Sequence, residues 1–375
     1  MGLLLPKSKN KADYYNDMVI KLYKQDDSQM TLPSKLIAKQ LQQKYDISDS
    51  EFIGIEGVQG LTKALKKCTN LKALRLHIPS CHNLGKQGAT TLSQSLKCLL
   101  NIQQLQIEIE AANRISDQGI QEMVRSIILM EKLQDLDLNI QGVNEITDIG
   151  IRSISETFNQ MKNIKTLSFS FNEPNQVSQE GFKLIFESIS KQKNLQKLGL
   201  SISQQLGSIE FEPIDQFFQN NSQKKLSELN LKLNTNLENK CISILLKNCS
   251  EIKTLTINLS SNMTWLDLKS AIKFQQQIQS CCGTLEKLTL NFANHQKTFI
   301  KFIEELMKHV CQCKNLKIFE LSFRVLLMEQ RFEFLHDIQN LQNLIALKIV
   351  NWLERNSHKY YEIFKAKNLV KYDIK

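Results

Sequence analysis

A short apolar pattern recurs along this chain at a nearly constant interval and constrains the fold more than any other feature. In the first copy, Leu71–Ile78, apolar residues stand at offsets 0, 3, 5 and 7. Most later copies follow at intervals close to 31 residues. The eleven copies begin at Leu71, Ile102, Leu133, Ile164, Leu195, Leu226, Ile252, Leu285, Leu316, Leu344 and Leu369, the last being truncated. This periodicity predicts a repeat protein.

Each repeat begins with an alternation typical of a β-strand and continues with a stretch typical of a helix. Residues at offsets 3, 5 and 7 are predicted to point inward, and those at offsets 2, 4 and 6 toward the opposite face. Because strands joined across a helix run parallel, the sequence predicts an α/β fold with a parallel sheet. Stacked repeats would share one continuous core, since a single repeat cannot bury its apolar face alone.

Three further columns of residues lie between the strands. Hydroxyl residues stand where a helix N-cap belongs, at Ser116, Thr147 and Ser178. Small residues that would let helix and strand pack closely are Gly88, Gly119, Gly150 and Gly181. Asparagines that directly precede a strand, and that predict left-handed, helix-terminating turns, are Asn70, Asn101, Asn163, Asn194, Asn315, Asn343 and Asn368.

Over roughly residues 50–375, the LxxLxL core and the helix pattern after it resemble the leucine-rich repeat family, in its ribonuclease-inhibitor-like long-repeat class. The resemblance implies a horseshoe-shaped solenoid with a parallel β-sheet on the concave face and helices on the convex face. It also implies a protein ligand. The asparagine that the family places three residues after the core is missing, which predicts longer strands. The residues near that place are Pro79, Glu110, Gln141 and Asn172.

The pattern divides the chain into four predicted segments. Residues 1–33 form a polar N-terminal tail. Residues 34–70 form a helical N-terminal cap that covers the open first strand. Residues 71–343 carry the leucine-rich repeats, and residues 344–375 hold the last repeats and the C-terminal cap. In the N-terminal cap, one helical apolar stripe is formed by Val58, Leu61 and Leu65.

The amino-acid composition limits the classes of partner that the chain is expected to bind. The 375 residues carry 48 Lys and Arg against 38 Asp and Glu, an excess of ten that favours solubility and an acidic partner without establishing one. Nucleic acid is not expected, because the outward columns are rich in Ser, Thr and Asn and hold no aromatic stacking platform. No apolar run is long enough to predict a transmembrane helix, and Leu3–Leu5 is too short for a secretory leader. Pro6 breaks the myristoylation pattern, so membrane anchoring is not predicted.

The nine cysteines are interpreted as free thiols. Four of them stand three residues before a strand, where small buried residues fit, namely Cys68, Cys249, Cys282 and Cys313. Cys281-Cys282 and Cys311-x-Cys313 lack the spaced pairs of a zinc site, so no metal or cofactor is predicted. Free thiols predict a reducing, cytoplasmic location, with a cytoskeletal or ciliary assembly as one setting.

Candidate partner-binding residues come from the outward columns and from two aromatic groups. The outward candidates are Arg75, His77, Glu108, Glu110, Asp135 and Asp137. Their carboxylates would lie close together on neighbouring strands, which would suit a basic partner segment and is compatible with a raised pKa or a bound cation. An ordinary solvated face is the alternative. The outward columns hold no Trp, Tyr or Phe, the residues that binding hot spots favour or that stack well. The aromatic candidates, which would cover the last strand or anchor a partner, are Trp265, Trp352, Tyr360 and Tyr361.

No nucleophile–base pair, phosphate loop or metal cluster is evident, so the chain is not predicted to be an enzyme. The leading hypothesis is a protein–protein interaction module or scaffold, a subunit of a larger assembly. One alternative is a small-GTPase regulator, because one leucine-rich-repeat group activates such GTPases. Arg75 would then be the arginine supplied to the GTP site. That group typically ends in an acidic tail, which residues Lys371–Lys375 do not form. Another alternative is an F-box-like ubiquitin-ligase adaptor that uses residues 32–45, beginning at Leu32-Pro33.

Overall fold

The structure is a computed structural model in which parallel strands alternate with helices, an α/β arrangement. It describes residues 17–21, 54–78, 84–142, 144–172, 176–203, 226–234, 251–259, 276, 278–279, 281–292, 298–323, 338, 341, 343–351 and 371–374. The chain divides into two compact units, Met1–Ile185 and Phe186–Lys375.

The described residues of the first unit contain five strands that pair in chain order, every pair between β1 and β5 being parallel. The strands are β1 (Asp17–Lys21), β2 (Ala73–Ile78), β3 (Gln104–Ile109), β4 (Asp135–Ile140) and β5 (Thr166–Asn172). The helices, the last of which runs on past the boundary, are α1 (Gly54–Leu65), α2 (Gly85–Leu96), α3 (Ser116–Ile128), α4 (Asp148–Gln160) and α5 (Gln179–Ser190). Strand β1, which lies within residues 1–33, was not predicted from the sequence.

In the part of the second unit that the structure describes, seven strands also pair in parallel and in chain order. The strands are β6 (Lys197–Ser203), β7 (Glu228–Asn234), β8 (Thr254–Leu259), β9 (Lys287–Phe292), β10 (Ile318–Phe323), β11 (Ala346–Asn351) and β12 (Lys371–Ile374). Helix α6 (Thr298–Val310) connects β9 to β10.

The inner face of each sheet forms the core, as the offsets predict. In β4, the residues at offsets 3, 5 and 7 are buried and alternate with half-buried neighbours. Helices cover this face: Phe158 of α4 meets Phe169 of β5 edge-on at 5.8 Å, and Phe302 of α6 meets Phe292 of β9 at the same distance. The predicted stripe of α1, Val58, Leu61 and Leu65, is buried too. Polar side chains are therefore left to the outer face.

The asparagines before the strands do not adopt the predicted left-handed turn, since none of the described ones has a positive φ. Instead their side-chain amides donate to backbone carbonyls of the preceding repeat. The bonds run from Asn101 to Thr69, Asn163 to Glu131, Asn315 to Gly283 and Asn343 to Lys314, at 2.6 to 2.9 Å. This column joins neighbouring repeats.

The predicted hydroxyl caps hold for α4 but not for α3. Thr147 accepts a hydrogen bond from the Ile149 N–H, at 3.2 Å, and so caps α4. The prediction is wrong for Ser116, which is the first residue of α3 at φ 59° and makes no capping bond. Its N–H donates to the Asn144 carbonyl instead, at 2.9 Å. Ser116 thus stands at the first position of the helix, with a left-handed backbone, rather than ahead of the helix.

Aspartates on one helix cap the helix of the next repeat. Asp117 of α3 accepts from the Thr147 hydroxyl at 2.7 Å and from the N–H groups of Thr147 and Gly150 at 2.8 and 2.9 Å. Asp148 of α4 accepts from the N–H and hydroxyl of Ser178 in the same way. A carboxylate suits this place because the first N–H groups of a helix lack partners within it.

The glycine column makes room for the preceding repeat's helix rather than for a strand. A Cβ at Gly150 would lie 2.6 Å from Asp117 Oδ1 and 2.9 Å from Ile120 Cγ2, both on α3. A Cβ at Gly119 would lie 2.9 Å from Ala89 Cβ of α2. The expectation of small size is right, but its cause is helix-to-helix stacking.

Buried asparagines support the turn that leaves each strand. Asn113 and Asn144 are fully buried, and each amide donates to a strand-end carbonyl: Asn113 to Glu110 at 3.0 Å, and Asn144 to Gln141 at 2.6 Å. The strands also run longer than the LxxLxL core, as predicted, because β3 and β4 continue to offset 7. The asparagine missing from its usual place is therefore replaced by one at offset 11.

The cysteine interpretation needs one correction. Cys282 and Cys313 form a disulfide, with Cα atoms 4.1 Å apart. They are 31 residues apart at equivalent positions of consecutive repeats, and stacking brings such positions together. The free-thiol prediction is therefore wrong for this pair. Cys68 and Cys98 are free thiols.

Candidate functional site

The outer face of the first unit carries the candidate residues of β2 to β4 in register. Arg75, Gln106, Asp137 and Ser168 form one row across the strands β2 to β5. A second row contains His77, Glu108, Asn139 and Ser170, and a third contains Gln104, Asp135 and Thr166. We call the six predicted residues the acidic face: Arg75, His77, Glu108, Glu110, Asp135 and Asp137.

All four carboxylates of the acidic face are held by side chains of a neighbouring strand. Asp135 accepts from the Gln104 amide at 3.0 Å, and Glu108 accepts from the Asn139 amide at 3.1 Å. Glu110, one residue beyond β3, lies 2.8 Å from His77 Nε2. The last contact becomes an ion pair when His77 is protonated.

Asp137 is the central carboxylate of this face. Burial raises its pKa above the ordinary aspartate value, and the nearby Glu108 carboxylate raises the pKa further. The Ser168 hydroxyl, which donates to Asp137, and the positive charge of Arg75 oppose this rise. The prediction of a raised pKa is thus confirmed at Asp137. The carboxylate lies where an additional cation from a partner would stabilise its charged form.

The position of the other predicted candidates relative to this face is not described. Trp265, Trp352, Tyr360 and Tyr361 lie outside the described residues, as does the F-box-like segment 32–45. Within the described strands, no outward position holds an aromatic side chain. Polar and charged groups alone therefore form the acidic face.

The outer side of the second unit carries an excess of positive charge, opposite in sign to the acidic face. This difference was not predicted from the sequence. We call its lysines the basic face: Lys197, Lys232, Lys253, Lys287 and Lys317. Lys197 pairs with Glu228 at 3.1 Å, and Glu286 lies 2.7 Å from Lys317 and 3.9 Å from Lys253. The hydrogen bond from Lys317 and its charge lower the pKa of Glu286. A separate count of each half of the outward columns would have revealed the contrast.

The described residues set limits on the chemistry. No group of three or more His, Cys, Asp or Glu within them, the acidic face included, could hold a metal ion. None of their helices is both long and apolar enough to cross a membrane. Comparison with known proteins found no matching family model and no matching curated protein.

Proposed function

We propose that the chain is a leucine-rich-repeat solenoid that acts as a non-enzymatic protein-binding module within a larger assembly. The acidic face carries this proposal. Inward residues such as Leu136 and Leu138 are 1% exposed, whereas the outward residues between them are only half-buried. A sheet with one face covered by helices and the other set with fixed polar groups offers a surface for another chain.

The charges of the acidic face indicate a basic partner segment. Four carboxylates stand against the single arginine Arg75, with His77 already engaged by Glu110. Asp137 has a raised pKa, so its charged form is incompletely compensated. A Lys or Arg side chain from a partner would supply that compensation. Hydrogen bonds across the strands hold the other carboxylates in place, which lowers the entropy lost on binding.

Affinity purification at near-native expression, with crosslinking and mass spectrometry, tests the proposal. The test variant carries Glu108→Gln, Asp135→Asn and Asp137→Asn, which remove three negative charges with little change of shape. Its control carries Glu131→Gln, Glu156→Gln and Glu180→Gln, three exposed carboxylates of the same unit outside the strands. We expect the full chain and the control to recover stoichiometric protein partners, and the test variant to lose one or more of them.

Two results would contradict this proposal. Recovery of no stoichiometric partner would remove the binding function, and equal recovery with both variants would remove the acidic face as the site. Recovery of a small GTPase or of a ubiquitin-ligase component would instead support one of the two alternative functions.

A further inference from the structure

We infer that the basic face of the second unit binds an acidic, extended polypeptide segment of a partner. This inference rests on the proposed function of a protein-binding module, but it concerns a different surface and a partner segment of opposite charge. The charges, the spacing and the neutral groups of the face each support it.

Lysines outnumber carboxylates on this face. Five ammonium groups stand near three carboxylates, those of Glu228, Glu286 and Glu320. Glu228 and Glu286 already pair with lysines of the face, and Glu320 accepts from the Thr289 hydroxyl at 3.4 Å. Among the described residues, no carboxylate lies within 4 Å of Lys232 or Lys287. These two ammonium groups are therefore available to a ligand.

The register places the basic groups at intervals that an extended chain can match. Lys197, Glu228, Thr254 and Lys287 share one row across β6 to β9. Because adjacent strands lie about 4.8 Å apart, Lys197 and Lys287 are separated by about 14 Å. An extended segment rises about 3.3 Å per residue, so carboxylates roughly four residues apart would meet both lysines.

Neutral donors lie between the lysines. The row of Lys232 continues through Asn258 and Asn291, and Thr256 and Thr289 share the next row. These side chains are half-buried. Amide and hydroxyl groups can donate to the carboxylates or the backbone carbonyls of a bound segment. The face thus combines charge attraction with short-range hydrogen bonding.

A polypeptide fits this face better than a nucleic acid does. Binding of single-stranded nucleic acid relies on aromatic side chains for base stacking, and no outward position of β6 to β9 holds one. The interspersed carboxylates of Glu228 and Glu286 would also oppose a continuous row of phosphates. A peptide with separated carboxylates avoids those positions.

Fluorescence anisotropy with the full chain tests the inference. The probe is a labelled peptide with a glutamate at every fourth position and Ser and Ala between, and a peptide with lysines in the same places is its counterpart. We expect Lys232→Glu with Lys287→Glu to weaken binding of the acidic peptide about tenfold at low salt. The milder pair, Lys232→Gln with Lys287→Gln, should weaken it less, and thermal melting shows whether each variant folds.

A control with the same change of net charge separates this site from general attraction by a basic protein. Lys191→Glu with Lys308→Glu alters exposed lysines after α5 and on α6, away from the strands. The control should retain binding to within about twofold. An equal loss in the control would overturn the inference, as would tighter binding of a single-stranded oligonucleotide that is lost in the same test variants.

Failure of this inference can be told apart from failure of the proposed function. If the acidic peptide does not bind but affinity purification still recovers partners that depend on the acidic face, only the inference about the basic face is wrong. If neither the peptide nor any partner is bound, both proposals fail.

Discussion

The inner faces of the two units are alike in composition, but their outer faces differ. In both units the strands run parallel in chain order, and their inward residues are buried Leu, Ile and Phe. On the outside, with the residue before each strand included, β2 to β5 present four carboxylates against Lys72, Arg75 and Lys165, whereas β6 to β10 present five lysines and three glutamates. Packing against the helices restricts the inner residues, because a core tolerates few polar groups. The outer residues escape that restriction, so their charge can differ between the units.

The difference extends to single carboxylates. Asp137 in the first unit is half-buried next to Glu108, and its pKa is raised. Glu286 in the second unit is exposed between Lys253 and Lys317, and its pKa is lowered. Asp137 stands at an outward position of β4, whereas Glu286 directly precedes β9. The neighbours within a strand or two, rather than the fold, decide the direction of the pKa change.

The largest expected effect tests whether the two inner faces are equivalent. Leu136→Asp in β4 and Leu198→Asp in β6 each place an unpaired carboxylate at a site that is 1% exposed. We expect each to destabilise the protein by more than about 4 kcal/mol and to abolish cooperative unfolding of its unit, as measured by urea denaturation. The neighbouring outward change Asp137→Asn should leave the transition cooperative. Similar melting of all three variants would refute the inward and outward assignment.

A smaller loss of stability is expected when a glycine is replaced between the stacked helices of the first unit, but not in an open turn of the second. At Gly150, an added Cβ would meet Asp117 Oδ1 at 2.6 Å and Ile146 Cγ2 at 2.8 Å. Gly150→Ala should therefore cost about 1–3 kcal/mol through overpacking and a weakened cap. Gly283→Ala, with no atom within 4 Å of the new Cβ, is the matched control and should be neutral or slightly stabilising. Equal unfolding free energies for both variants would remove the role of the glycine column.

The sequence predicted what depends on spacing within one repeat. Leu136, Leu138 and Ile140 were assigned inward from the alternation alone, because a strand has a period of two and a buried face must be apolar. The rows of the acidic face followed from the same offsets, since copies 31 residues apart place Glu108 beside Asn139 in a parallel sheet.

The contacts between repeats were not predictable in the same way. Asn101 and Asn315 donate to carbonyls about one repeat earlier in the chain, and Asp117 caps the helix that follows. Residue type alone favoured a local turn or cap, since Asn and Ser have strong local preferences. Whether such a side chain bonds within its own repeat or to the neighbouring repeat depends on the distance between the repeats. The disulfide between Cys282 and Cys313 arises from that distance too.

The smallest effect tests the contrast between Asp137 and Glu286 through its dependence on pH. Asp137 has a folded-state pKa above the unfolded value near 3.8, so its ionised form lowers stability once the pH exceeds the folded pKa. Asp137→Asn should raise the free energy of unfolding at pH 7 by less than about 1 kcal/mol, because solvent still reaches the group. The gain should shrink as the pH falls through the raised pKa and vanish below 3.8, where the wild-type group is protonated in both states.

Glu286 should show the opposite slope. Its folded-state pKa lies below the ordinary value of 4.5, so its contribution is present above that pH and is lost as the pH falls through the lowered pKa. Glu286→Gln should therefore be less stable than the wild type at pH 7 and equal to it in acid. Urea denaturation of both variants between acid and neutral pH measures the two slopes. Slopes of the same sign would show that the surroundings of Asp137 and Glu286 do not shift their pKa values in opposite directions. The charge contrast between the units would then have no measurable effect on these carboxylates.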